Sequence, residues 1–355
     1  MDLINFSYEY AKRSNALCLD GSPSGFYFKS GSNSSHWVIF LGGDVHCATK
    51  TDCKRILSTS SGSSYYWAPW LSKTFILSSS QYTNPDFYSW MKVYIPSCSA
   101  DFFSGQHTEP NEWGMYFSGH NILTAVINML LENYQLSRAE YVLFSGVSTG
   151  GVGVIEHSDY ISDWLSFAKV KVSPVGGWFY PQLLLNFTEW TKQSPSNQPS
   201  SFLNTLYDSY VHKMCAENNY LQPWVCGPSN VGYLYQYIRT PLFVAENMFD
   251  SDQLFRYLGC PENSDLSEEY MNYYGQLMIF SMQQVARSSK FDGIFLPACL
   301  NHTIDLLEFT SSPRIRGYSY ANALGDWFYN RNGYSQLIDD CSTPNCNDDC
   351  ILSSG

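Results

Sequence analysis

The chain has 355 residues, enough to bury a large core, with 44% hydrophobic and 17% aromatic side chains. A formal net charge of -12 and a pI near 4.9 exclude a nucleic-acid partner, whose phosphates would be repelled, and argue against a simple cationic groove for a polyanionic polysaccharide. No apolar run is long enough to span a membrane.

In chain order, the opening stretch MDLINFSYEYAKRSN has no basic region followed by an apolar core, so no secretory leader is visible in it. Residues 1–16 are read as an N-terminal segment ahead of a single domain, 17–340. Strand-like apolar runs recur at Trp37–Leu41, Lys92–Ile95, Tyr141–Phe144, Leu242–Ala245 and Gly293–Leu296. A helix is predicted over Asn121–Tyr134, where Ile122, Val126, Met129 and Leu130 share one face. Alternating strands and helices predict an α/β protein, with a largely parallel central sheet and helices on both faces. In such sheets, sites gather at the carboxyl ends of strands. The stretch QSPSNQPSS, Gln193–Ser201, reads as a surface loop. Cys341, Cys346 and Cys350 have no neighbouring histidine and predict a disulfide-tied tail, 341–355, in place of a metal site. Eleven cysteines fit an exported, oxidised protein, and the odd number leaves at least one outside a disulfide. Sequons at Asn5, Asn33, Asn186 and Asn301 are compatible with export.

The stretch Gly146-Val147-Ser148-Thr149-Gly150 fits G-x-S-x-G, a sharp strand-to-helix turn that exposes a serine hydroxyl. It follows the run Tyr141–Phe144 and precedes a segment that reads as helix through Trp164. A nucleophilic serine needs a base and a carboxylate to orient that base, in the order Ser, acid, His for this turn. Of the histidines well beyond Ser148, His212 and His302, only His302 follows a strand-like run, GIFLPA. Asp250 ends the run beginning at Leu242, with Glu246 and Asp252 as rivals for the acid.

These motifs belong to a longer collinear set: Cys18-Leu19-Asp20-Gly21-Ser22-Pro23, Asn84-Pro85-Asp86-Phe87-Tyr88-Ser89-Trp90, Phe103-Ser104-Gly105, His157-Ser158-Asp159, Ala298-Cys299-Leu300-Asn301-His302 and Gly325-Asp326-Trp327-Phe328. From about Leu17 to Cys350 the chain resembles the pectin acetylesterase and Notum family of α/β-hydrolase-like carboxylesterases. The resemblance implies Ser148 as nucleophile, Asp250 as acid and His302 as base. It also implies disulfides Cys47–Cys53 and Cys18–Cys98. The family's glycine-rich turn, ending Gly-Gly-Gly-Trp-Cys, corresponds here to Gly42-Gly43-Asp44-Val45-His46-Cys47. Through it the resemblance implies oxyanion N–H groups from Val45 and His46, with another from Thr149. Asp44 brings a negative charge to that turn, Val45 resists positive φ, and His46 replaces an indole.

The expectation is a secreted, monomeric serine esterase that needs no metal or organic cofactor and removes O-acetyl groups from polysaccharide through an acyl-enzyme. Two alternatives are a Notum-like deacylase acting on a lipidated protein and a non-catalytic binding protein on the same scaffold. The altered GGDVHC turn is what favours the last.

Overall fold

The computed structural model describes residues 1–179, 200–260, 265–287, 291–304, 310–311 and 313–350. Its strands are β1 (Asp2–Asn5), β2 (Gly25–Lys29), β3 (Asn33–Leu41), β4 (Trp90–Ile95), β5 (Tyr141–Val147), β6 (Lys169–Val175), β7 (Phe243–Ala245), β8 (Gly293–Leu296), β9 (Arg314–Ile315), β10 (Tyr318–Ser319) and β11 (Gln336–Ile338). The helices are α1 (Tyr8–Arg13), α2 (Lys50–Ile56), α3 (Gly119–Asn133), α4 (Thr149–Glu156), α5 (Ser158–Trp164), α6 (Ser200–Tyr207), α7 (Lys213–Asn218), α8 (Val231–Leu234), α9 (Asp265–Ala286) and α10 (Tyr320–Tyr329). Nine strands form one sheet in the order β1-β2-β4-β3-β5-β6-β7-β8-β11. It is antiparallel at β1, β2 and β4 and parallel from β4 to β11.

Both faces of the sheet are buried, which is why its strands read as continuous apolar runs. Along β3, Trp37, Ile39 and Leu41 enter one core, and Val38 and Phe40 enter the other. Ile122, Val126 and Leu130 of α3 cover the first face, and Leu324, Trp327 and Phe328 of α10 cover the second. A fully buried hydrophobic side chain is worth about 1.5–3 kcal/mol, so this double cover dominates the stability.

One central strand was not among the sequence expectations. β6 contains Pro174, which cannot donate to a ladder. Val172 donates its N–H to the Pro241 carbonyl and Gly176 donates to Ala245, so residue 174 falls where Phe243 should receive a donor. The Ser173 hydroxyl fills that place, donating to the Phe243 carbonyl at 3.1 Å.

Both described ends of the chain are fastened to the sheet and its loops, the tail by disulfides as expected. Residues 1–16 are part of the domain: β1 pairs with β2 in the register Asp2 to Phe28, and Phe6, Ala11 and Ala16 lie in the core. The described part of the tail, to Cys350, is fastened by Cys341–Cys346 and by Cys299–Cys350, which spans 51 residues. The Asn345 Oδ1 also accepts the Leu300 N–H at 2.8 Å. The tail thus grips the loop that leads to His302. Of the loop expected at Gln193–Ser201, residues 193–199 lie outside the described residues, as does Asn186, and α6 begins at Ser200.

Candidate active site

Three strand ends supply the reacting side chains. At the end of β5, Ser148 takes φ 55° and ψ -122°, a strained conformation that lifts its side chain clear of the sheet. Its N–H donates to the Val175 carbonyl at 2.8 Å, and α4 begins at the next residue. The elbow closes only around glycine: a Cβ on Gly150 would lie 2.4 Å from the Leu41 carbonyl oxygen.

Beyond β7 and β8 the two chains continue side by side. Met248 donates its N–H to Pro297 O and Phe249 donates to Cys299 O, so Asp250 and His302 leave the sheet together. The Ser148 hydroxyl donates to His302 Nε2 at 2.7 Å. His302 Nδ1 lies 3.0 and 3.1 Å from the two oxygens of Asp250. A carboxylate only accepts, so Nδ1 carries the proton and Nε2 is left to receive the one from serine. Asp250 is fully buried, and Gln253 donates to it from both backbone and side chain, at 2.9 and 3.1 Å. Burial pushes the His302 pKa down, but the charge and hydrogen bond of Asp250, with Asp252 adding, raise it above its ordinary value.

The rivals for the acid fall elsewhere. Asp252 is 3.8 Å from Nε2, the nitrogen that faces serine. Glu246 is buried and accepts N–H groups from Trp178 and Asn247 at 2.8 and 3.1 Å. Burial, followed by the charge of Asp250, raises its pKa well above the ordinary glutamate value.

The turn after β3 passes directly over the serine, for a Cβ on Gly43 would lie 2.9 Å from Ser148 Cβ. Thr149 clamps it: its hydroxyl accepts the Asp44 N–H at 3.0 Å and donates to the Asp44 carbonyl at 2.9 Å. Val45 donates its N–H to Asp44 Oδ1 at 2.8 Å. The His46 ring stacks between Phe102 and Tyr257, with centroids at 4.5 and 5.4 Å, so it is a wall of the site. Burial drives its pKa to about 4 against the weaker upward pull of Asp52, and the ring is neutral at pH 7. The Thr149 N–H opens α4, where the helix dipole favours negative charge. Sequence reasoning missed Ser61, whose hydroxyl donates to Asp44 Oδ2. No spacing signal links positions 44 and 61.

A cleft of about 390 Å³ opens onto Ser148 and His302. Among the described residues its lining is mixed, with Asp44, Asp252, Arg256 and Thr303 beside Val45, Val147 and Tyr257. No group of three or more His, Cys, Asp or Glu among the described residues could hold a metal ion. Cys18–Cys98 and Cys47–Cys53 are both bonded, the second fixing the chain just beyond the GGDVHC turn. Cys260 is buried and outside the disulfides.

A largely parallel sheet covered on both faces, with serine, histidine and aspartate meeting at its carboxyl edge, defines the α/β-hydrolase class. The Drosophila Wnt deacylase Notum superposes on 99% of this chain and 99% of its own with a TM-score of 0.84 and 26% identity. The chain belongs to the pectinacetylesterase family, whose model matches residues 6–351. It is 30% identical to pectin acetylesterase 5 of Arabidopsis thaliana over 96% of this chain and 83% of that one. It is 29% identical to the palmitoleoyl-protein carboxylesterase notum1' of Xenopus laevis over 95% and 72% of the two chains. The protein is a carboxylic ester hydrolase.

Proposed function

We propose that this esterase removes acetyl groups from a hydroxyl-rich, polysaccharide-like substrate, with Ser148 as nucleophile. His302 takes the serine proton as Oγ attacks the ester carbonyl, then returns it to the departing alcohol. Asp250 holds the imidazole and stabilises its cation. Water repeats the sequence on the acyl-enzyme and releases acetate. The donors assigned to the developing oxyanion are the N–H groups of Thr149, Val45 and His46, with Val45 first having to release the Asp44 carboxylate.

The observation that carries the acetyl reading is the mixed cleft lining among the described residues. Each buried methylene of a long acyl chain gains about 0.8 kcal/mol only where the wall is apolar. Here such a chain would displace water from Asp252 and Arg256, an ion pair at 3.4 Å, and lose that gain to their desolvation. An acetyl group has no such need. Five disulfides support action in an oxidising compartment outside the cytosol.

The test is kcat/KM on nitrophenyl acetate, butyrate and octanoate, with acetate release from an acetylated polysaccharide. A steep fall beyond butyrate is expected. A preference for octanoate would overturn the acetyl reading in favour of a long-chain deacylase.

A further inference from the structure

The turn over Ser148 already holds an anion. Asp44 Oδ1 accepts the Val45 N–H at 2.8 Å, and the Ser61 hydroxyl anchors the other oxygen of the same carboxylate. The Asp44 N–H is committed to Thr149 Oγ1. Val45 and Asp44 both line the cleft that contains Ser148 and His302. The Val45 amide, one of the donors assigned above to the oxyanion, is therefore occupied by a neighbouring side chain.

We propose that the Asp44 carboxylate is a tethered competitor for the oxyanion site and that it restrains the rate of this esterase. The inference rests on the assignment of Ser148 as nucleophile. When Oγ bonds to the carbonyl carbon, the π pair of the carbonyl moves onto oxygen and the serine proton moves to His302 Nε2. The new oxyanion needs the Val45 N–H, and it cannot share that donor with a carboxylate of like charge. Asp44 must turn away, breaking one charge-assisted hydrogen bond at that moment. The Thr149 hydroxyl, bonded to both the N–H and the carbonyl of Asp44, keeps the turn in place while the side chain moves. The uncharged ester of the ground state makes no such demand, so the restraint falls on kcat and leaves KM nearly unchanged.

Asp44→Ala is the direct test. Its φ is not in the left-handed region, so alanine fits the backbone. On nitrophenyl acetate, kcat should rise about tenfold or more, a fraction of what one oxyanion donor is worth, with KM within about twofold. A trifluoromethyl ketone, whose serine adduct carries the oxyanion, should bind tighter by a similar factor. Asp44→Asn keeps an acceptor for Val45 without the full charge and should fall between. Ser61→Ala loosens the anchor without touching the turn and should also raise kcat, which guards against a folding defect in the Ala variant. If neither Asp44→Ala nor Ser61→Ala is faster and ketone affinity is unchanged, the inference is wrong. Ser148→Ala, run in parallel, separates the two readings: hydrolysis that survives it removes the nucleophile assignment, and its loss with no gain in the other variants removes only the role of Asp44.

Discussion

Replacing Asp250 with asparagine tests how the base is built. His302 becomes a cation as it takes the serine proton, and a full negative charge then stands 3.0 Å from Nδ1. At an effective dielectric near 20 that pair is worth about 5 kcal/mol, which a neutral amide would not supply. The loss corresponds to roughly 10³–10⁴-fold in kcat. Asparagine also offers one acceptor where Gln253 supplies two donors and His302 a third. The assay is the initial rate of nitrophenyl acetate hydrolysis from about pH 5 to 9. Because the His302 pKa is raised and the base must be neutral, wild-type activity should be lost as pH falls through a value above the ordinary 6.5. In the variant the upward push of Asp250 is gone, burial remains, and the limb should move down. An asparagine variant that kept more than about a tenth of wild-type kcat would refute this, as would a greater loss from Asp252→Asn.

Asp252→Asn should keep most of the wild-type kcat, with a smaller downward shift of the acid limb than Asp250→Asn, because its carboxylate adds less to the His302 shift than Asp250 does; a loss above about a hundredfold would contradict that. Gly43→Ala places a Cβ 2.3 Å from the Val147 carbonyl oxygen and 2.9 Å from Ser148 Cβ, so the turn must retreat. A fall in kcat of about a hundredfold, with an unchanged circular dichroism spectrum, is expected. Cys350→Ser opens a bridge across 51 residues, and the chain-entropy account puts its cost at about 4 kcal/mol. Its denaturation midpoint should drop, and kcat should fall too, since the bridge ends three residues before His302.

Much of the site could be read from local pattern. The apolar run from Tyr141, the glycines around Ser148 and the strand ends before Asp250 and His302 are short-range signals, and the strand Gly293–Leu296 appears with the boundaries expected. β5 runs on to Val147, further than the apolar run, because Ser145 and Gly146 complete the ladder with β6. What stayed hidden depends on partners far along the chain. β1 is four residues whose pairing with β2 leaves no periodic trace. β6 was masked by Pro174, and its repair by the Ser173 hydroxyl is a tertiary detail. The helix read through Trp164 breaks at His157, where α4 ends and α5 begins. Most consequential is Asp44: its charge was visible, but its grip on Val45 and Ser61 exists only once the turn is folded over the serine.

The most direct measurement is mass-spectrometric mapping of a fluorophosphonate adduct beside esterase activity. The account predicts one adduct, on the peptide containing Ser148, formed in step with the loss of nitrophenyl acetate hydrolysis and absent from Ser148→Ala. An adduct on another residue, or undiminished hydrolysis after Ser148 is fully labelled, would contradict it.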